Sequence, residues 1–205
     1  MSAADQRVPY SVAARELLRN TLLDAACHEL QGNRWSDITM ADIALAAGVS
    51  RQTLYKEFGS REEFAQILVL REAERFLDAV EQAVSAHASA PTKALTAAFE
   101  LFLRTAAENP VVRAVVLEEG AEELLSLLTT QGKPIVERAG ERLSAVIVAS
   151  WPLIRRRDAE LLSDVLVRLA ISYAALPNGE PNATAASITS LLEPYVERLV
   201  GAGTR

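Results

Sequence analysis

The sequence predicts an all-α fold, and three observations predict it. The chain has 205 residues, 50% of them hydrophobic, and alanine and leucine dominate. Few runs show the β-branched alternation of strands. Apolar positions recur at helical spacing between breaks made by glycine, proline and asparagine. A chain of this length buries one or two compact cores.

The elements follow in order. A first helix is expected from Ala13 to Leu30, with Leu18, Leu22, Ala25 and Leu30 on or near one face. The segment QGNRWSD ends it. Thr39 followed by Asp42 has the spacing of a capped helix start, and Ile43, Ala44 and Ala47 supply that helix's buried side. Gly48 stands where a helix ends with positive φ, so Ala47-Gly48-Val49 reads as a tight turn. Ser50 caps the next helix, Gly59 closes it, and Ser60 caps a long one from Arg61 to about Val84. Beyond the small-residue stretch SAHASAP, helices are expected over Thr92–Ala107, Val111–Glu118, Ala121–Thr130, Lys133–Ala149, Asp158–Leu176 and Thr184–Val200. Pro194 falls inside the last of these and is expected to kink it.

The stretch RQTLYKEF between Ser50 and Gly59 is the informative one. A helix barely two turns long cannot stand alone, because nucleation costs more than its few bonds return. On a helical wheel Leu54 and Phe58 lie together and face the other helices. Gln52 and Lys56 stack on the opposite side, with Thr53 and Tyr55 on the flanks. That face offers an amide for base edges, a cation, and hydroxyls suited to phosphate oxygens. The free N–H groups of the first turn favour an anion. Helix, glycine turn and second helix form a helix-turn-helix, and the major groove is its expected destination.

The net charge of −6 gives no support to a general polyanion binder. Its distribution matters more. Through Arg61, seven acids balance seven bases, so the acidic excess lies beyond. A neutral head suits phosphate contact through a few placed groups.

With these residues in view, ITMADIALAAGVSRQTLYKEFGSREEF resembles the DNA-binding signature of the TetR (tetracycline-repressor) family of bacterial regulators. The resemblance runs from about Leu18 to Phe64. It implies a helix-turn-helix DNA-binding domain over 1–60 and a larger helical effector-binding and dimerisation domain over 61–205. It also implies a repressor released from a near-palindromic double-stranded DNA operator by a small molecule. Carried over residue by residue, the DNA-facing set is Thr39, Ser50, Arg51, Gln52, Thr53, Tyr55, Lys56 and Arg61. Thr39 and Ser50 also read simply as caps. Arg61 stands where the family commonly has a phosphate-contacting lysine, and Glu57 places an acid on the short helix.

The remaining signals are weaker. Phe99, Phe102, Leu117, Leu124, Leu128, Ile147 and Trp151 suit a hydrophobic effector, although core packing alone accounts for them. Of these, Phe99, Phe102, Leu124, Leu128, Ile147 and Trp151 form the candidate ligand set. The apolar stripes of 158–176 and 184–200 read either as one intrachain core or, as the resemblance implies, as a four-helix homodimer interface. Cys27 and His28 are about 100° apart on a helix and make a poor metal pair. Glu118, Glu119, Glu122 and Glu123 read as a solvated face, and Arg155-Arg156-Arg157 as an exposed loop. No metal, cofactor or enzyme chemistry is expected. The opening residues lack the unbroken apolar core of a signal peptide, and Leu143–Ile154 falls short of the roughly 20 residues that span a bilayer. A single cysteine suits a reducing compartment, so the expected location is cytoplasmic.

Overall fold

The computed structural model describes residues 10–117 and 133–201. Among the described residues the chain is helical, without a strand: α1 (Tyr10–Glu29), α2 (Met40–Ala46), α3 (Arg51–Phe58), α4 (Arg61–Ala86), α5 (Pro91–Glu108), α6 (Pro110–Leu117), α7 (Lys133–Ser150), α8 (Arg156–Ala175) and α9 (Pro181–Gly201). The expected helix over 121–130 and the glutamates at 118–123 lie outside the described residues. The chain divides into two compact units, Met1–Leu68 and Val69–Arg205.

In the first unit α1 packs on α2, and α2 on α3. The buried face of α1 carries Leu22, Leu23 and Ala26, while Leu18 and Ala25 are half-buried. The face is thus turned slightly from the expected one. Trp35, in the segment read only as a break, and Ile38 just after it are 1% and 2% exposed. Two buried aromatics, Phe58 at the end of α3 and Phe64 at the start of α4, meet edge to face with centroids 4.8 Å apart.

The α3–α4 corner depends on Gly59, whose φ of 76° is left-handed. Ser60 and Glu63 then close a capping box: the Ser60 N–H donates to Glu63 Oε2 at 2.7 Å, and the Glu63 N–H donates to Ser60 Oγ at 3.1 Å. A Cβ on Gly59 would overlap that same Glu63 carboxylate. Gly59→Ala is therefore expected to strain the backbone and open the cap together, costing about 1–3 kcal/mol in a denaturant titration. By contrast Gly48, at φ 71°, has open space around its missing Cβ, so only the conformational term applies there.

In the second unit α5 packs along α9, and α7 along α8. Leu95, Phe99 and Leu103 of α5 share a core with Ile147, Leu162, Leu166, Ile188 and Val196. Much of the α8 and α9 stripes is therefore consumed inside the subunit. Val165, Leu176 and Leu191 remain exposed. Prolines open α5, α6 and α9, where a missing N–H costs nothing. The last helix runs through Pro194 unbroken.

The arginine run departs from expectation. Arg156 and Arg157 begin α8 instead of lying in a loop. Positive charge at a helix start opposes the dipole, and Asp158 and Glu160 offset it by pairing with Arg155 and Arg156, both at 2.9 Å.

Across α4 and α7 a single guanidinium holds three acids. Arg142 reaches Glu74 at 2.7 Å, Asp78 at 2.6 Å and Glu81 at 2.7 Å. Glu81 first and Asp78 second hold its pKa above the ordinary arginine value.

Candidate nucleic-acid interface and ligand cavity

The α2–turn–α3 segment is fixed at every end by local chemistry. Thr39 Oγ1 accepts the Asp42 N–H at 3.2 Å. Asp42 Oδ2 accepts in return from the Thr39 hydroxyl at 2.6 Å and from the Thr39 N–H at 2.8 Å. These bonds, the hydroxyl's first, hold the Asp42 carboxyl below its ordinary pKa. The stabilisation they give is present above the ordinary carboxylate range and is lost as pH falls through the depressed value. Both Thr39 donors are committed to this cap. After α2, the Gly48 N–H bonds Leu45 O at 3.0 Å and the Val49 N–H bonds Ala44 O at 2.9 Å, which sets the turn.

Ser50 then caps α3: its Oγ accepts the Thr53 N–H at 3.1 Å and lies 2.8 Å from Thr53 Oγ1. Beneath α3, Leu54 is 0% exposed and Phe58 is 4% exposed. Arg19 of α1 covers the far end, with its guanidinium 4.3 Å from the Phe58 ring centroid and Nη1 donating to Glu57 O at 2.7 Å. That bond satisfies a carbonyl at the end of the helix.

The opposite face is polar and open. Arg51, Gln52, Tyr55 and Lys56 are exposed, and Thr53 is half-buried. Arg51 lies across Tyr55, 5.3 Å from the ring centroid and 3.3 Å from the phenol oxygen. Glu57 does not share this face: its carboxylate pairs with Arg15 at 2.7 Å and its side chain is only 12% exposed. The acid on the short helix is thus neutralised by α1.

Arg61 points elsewhere than expected. Its guanidinium lies 4.3 Å from the Trp35 ring centroid, with Nη2 donating to Trp35 O at 2.7 Å and Nη1 to Ile38 O. The fork braces the loop before α2. Neither Trp35 nor this brace was found from sequence, because the partners lie more than 20 positions away and no local pattern marks them.

In the second unit, Phe99, Phe102, Ile147 and Trp151 of the expected ligand set line one cavity of about 330 Å³. Leu124 and Leu128 lie outside the described residues, as does the Leu117 side chain. The cavity runs between α4, α5, α6, α7, α8 and α9, and its lining is almost wholly apolar. The Trp151 indole N–H donates to Ala88 O at 2.7 Å, so its polar edge is satisfied by the backbone. Phe76 and Phe102 pack edge to face, 4.9 Å between centroids. Polar groups gather near Asn109, whose Nδ2 donates to Glu72 Oε2 at 3.1 Å. Glu72 also pairs with Arg71 at 3.0 Å and Arg75 at 3.3 Å. Among the described residues no group of three potential metal ligands occurs, and no helix is long and apolar enough to cross a membrane.

A short capped helix with an open polar face in one unit and an apolar cavity in the other together define a class of ligand-responsive DNA-binding regulator. The chain belongs to the tetR family of bacterial regulatory proteins: residues 22–66 match that family's N-terminal region, and residues 90–194 match the bacterial tetracyclin repressor C-terminal domain. It is 38% identical over 193 residues to the HTH-type transcriptional regulator AlkX of Mycobacterium tuberculosis, covering 94% of this chain and 92% of that one. Its fold is similar to the crystal structure of the TetR family repressor AlkX from a Dietzia strain, a protein implicated in biodegradation of n-alkanes. The TM-score is 0.75 at 36% identity, covering 89% of this chain and 96% of that one.

Proposed function

We propose that this regulator is a homodimeric repressor that sets α3 into the major groove of a near-palindromic operator and releases it when a hydrophobic molecule fills the cavity of the second unit. The observation that carries this reading is the held geometry of α3. Eight residues are capped at Ser50, anchored by Leu54 and Phe58, and braced by Arg19, while Gln52 and Lys56 stay exposed. A structural role alone gives no reason to display that face.

Within it, Gln52 is the base reader, Lys56 and Arg51 supply charge, and Tyr55, Thr53 and the cap at Ser50 meet the backbone. Thr39 serves chiefly as a cap and Arg61 chiefly as a brace. The functional division follows 1–60 and 61–205, with α4 continuing from one compact unit into the other. The dimer uses the outward faces of 158–176 and 184–200, where Leu161, Val165, Leu176 and Leu191 are exposed beside the small residues Ala183, Ala186 and Ser190. A twofold axis there gives two heads and two half-sites. The kinship with AlkX proteins supports a regulated pathway of hydrocarbon metabolism. Release requires that the effector prefer the conformation whose heads no longer fit successive grooves.

The test is a binding titration on the DNA upstream of the chain's own gene at two salt concentrations. Gln52→Ala is expected to lose discrimination at particular base pairs by about 1–3 kcal/mol. Lys56→Ala is expected to weaken cognate and random duplexes alike and to reduce the salt slope by about one phosphate's worth. Equal losses for both variants on every duplex would remove this division of roles.

A further inference from the structure

We infer that Arg51 is a second base reader, specific for guanine, and that Tyr55 positions it; both roles rest on the placement of α3 in the major groove proposed above.

Helix stability gives no reason for an arginine at this place. Ser50 is the cap, so Arg51 is the first helical residue, where the free N–H groups already carry positive charge. A cation there opposes the dipole of a helix only eight residues long, and α3 has no acid in its first turn to offset it. The start of α8 shows the contrast. Arg155 and Arg156 stand there too, but each is paired with a carboxylate at 2.9 Å. Arg51 pairs with no carboxylate among the described residues. Lys56, the other cation of the helix, lies in its last turn, where the dipole favours it. Stability accounts for Lys56 and not for Arg51.

The Arg51 side chain lies back along the helix. Its guanidinium carbon is 5.3 Å from the Tyr55 ring centroid, and Nη2 donates to the Tyr55 hydroxyl at 3.3 Å. An arginine aimed at a phosphate beyond the helix start would reach forward instead. One turn apart, 51 and 55 form a ridge beside that of Gln52 and Lys56. Contact with the ring fixes the plane of the guanidinium before DNA arrives, so less freedom is lost on binding.

That plane suits one base. Of the five N–H donors of an arginine, the hydroxyl takes one. Two parallel ones fit O6 and N7 of guanine, whereas adenine sets a donor where O6 would be. The Tyr55 oxygen accepts from Arg51 and keeps its own O–H to give to a phosphate oxygen. Tyr55 thus ties the base reader to the backbone contact. Neighbouring residues of a helix differ by about 1.5 Å in rise, against about 3.4 Å between base pairs. The guanine therefore lies within about two base pairs of the position that Gln52 reads.

The full-length protein and its Gln52→Ala, Arg51→Ala, Tyr55→Ala and Tyr55→Phe variants each select duplexes from a random pool. The wild type should enrich one guanine per half-site that Arg51→Ala no longer enriches, with the rest of the consensus kept. Replacing that guanine by 7-deazaguanine, which lacks N7 but still pairs with cytosine, should weaken the wild type about 10-fold and Arg51→Ala less than about twofold. Tyr55→Ala should shrink the penalty to about threefold or less. Tyr55→Phe keeps the ring and should hold the penalty to within about twofold of the wild type, while binding every duplex more weakly. Arg51 and Tyr55 are both exposed, so the unfolding midpoints should stay at the wild-type value. No guanine in the consensus, or one 7-deazaguanine penalty shared by wild type and Arg51→Ala, would overturn the guanine reader. A full penalty in Tyr55→Ala would remove the positioning role. If Gln52→Ala alters the consensus and Arg51→Ala only lowers affinity evenly, α3 still reads the groove and Arg51 is a phosphate contact. If the wild type enriches no sequence, both readings fall.

Discussion

Leu54→Ala is expected to unfold α3 and abolish operator binding while leaving the second unit helical. The helix has eight residues and two buried apolar side chains, so Leu54 supplies about half its attachment. Its side chain is fully enclosed, and truncation at such a site costs about 2–5 kcal/mol through lost transfer energy and the cavity left behind. A helix too short to nucleate alone depends on such anchoring for its order. Operator affinity should fall with the fraction of folded heads, far more than for Gln52→Ala, which removes a contact but no packing. Amide exchange across 50–59 should rise to near the unprotected rate, with protection in α5 and α9 unchanged. Intact exchange protection with lost DNA binding would mean that Leu54 does something other than anchor the helix.

The second large effect belongs to Arg61. Its guanidinium stacks on Trp35 and satisfies two carbonyls, at Trp35 and Ile38. Arg61→Ala removes both bonds and uncovers the ring, leaving Trp35 O with its bond from the Ile38 N–H at 3.3 Å, an expected loss of about 2–4 kcal/mol. Arg61→Lys distinguishes brace from phosphate contact. A lysine keeps the charge but cannot fork to two carbonyls or stack as a plane. The brace predicts that lysine fails to restore stability in a denaturant titration. A phosphate contact predicts that lysine restores operator affinity and its salt slope with stability unchanged throughout.

These two residues show what was legible in the sequence. Leu54 was legible, as were Thr39 with Asp42, Gly48, Ser50, Gly59 and Ser60, because each acts within four positions and leaves a local pattern. Arg61 was not, and neither were Arg15 on Glu57 nor Arg142 on three acids, because those partners are brought together only by tertiary packing. Glu57 was legible as an acid on α3 but its pairing with Arg15 was not, since the sequence does not say which side of α3 α1 covers. Helix starts erred in one direction: Pro91, Pro110 and Pro181 open helices that were expected to begin just after them. Proline reads as a break, yet at a first turn it has no hydrogen bond to lose. The stripes of α8 and α9 were ambiguous for a different reason. Periodicity marks a face that must be covered without naming the cover, and Leu162, Leu166, Ile188 and Val196 turn out to be covered by their own subunit.

The face carrying Gln52 and Lys56 is expected to lie in the major groove. Guanine-N7 methylation interference on the upstream duplex tests it most directly, because N7 is a major-groove atom. Bound DNA should be depleted of methylated guanines in two clusters about one helical turn, roughly 10 base pairs, apart. Bound and free DNA with the same methylation pattern would contradict it.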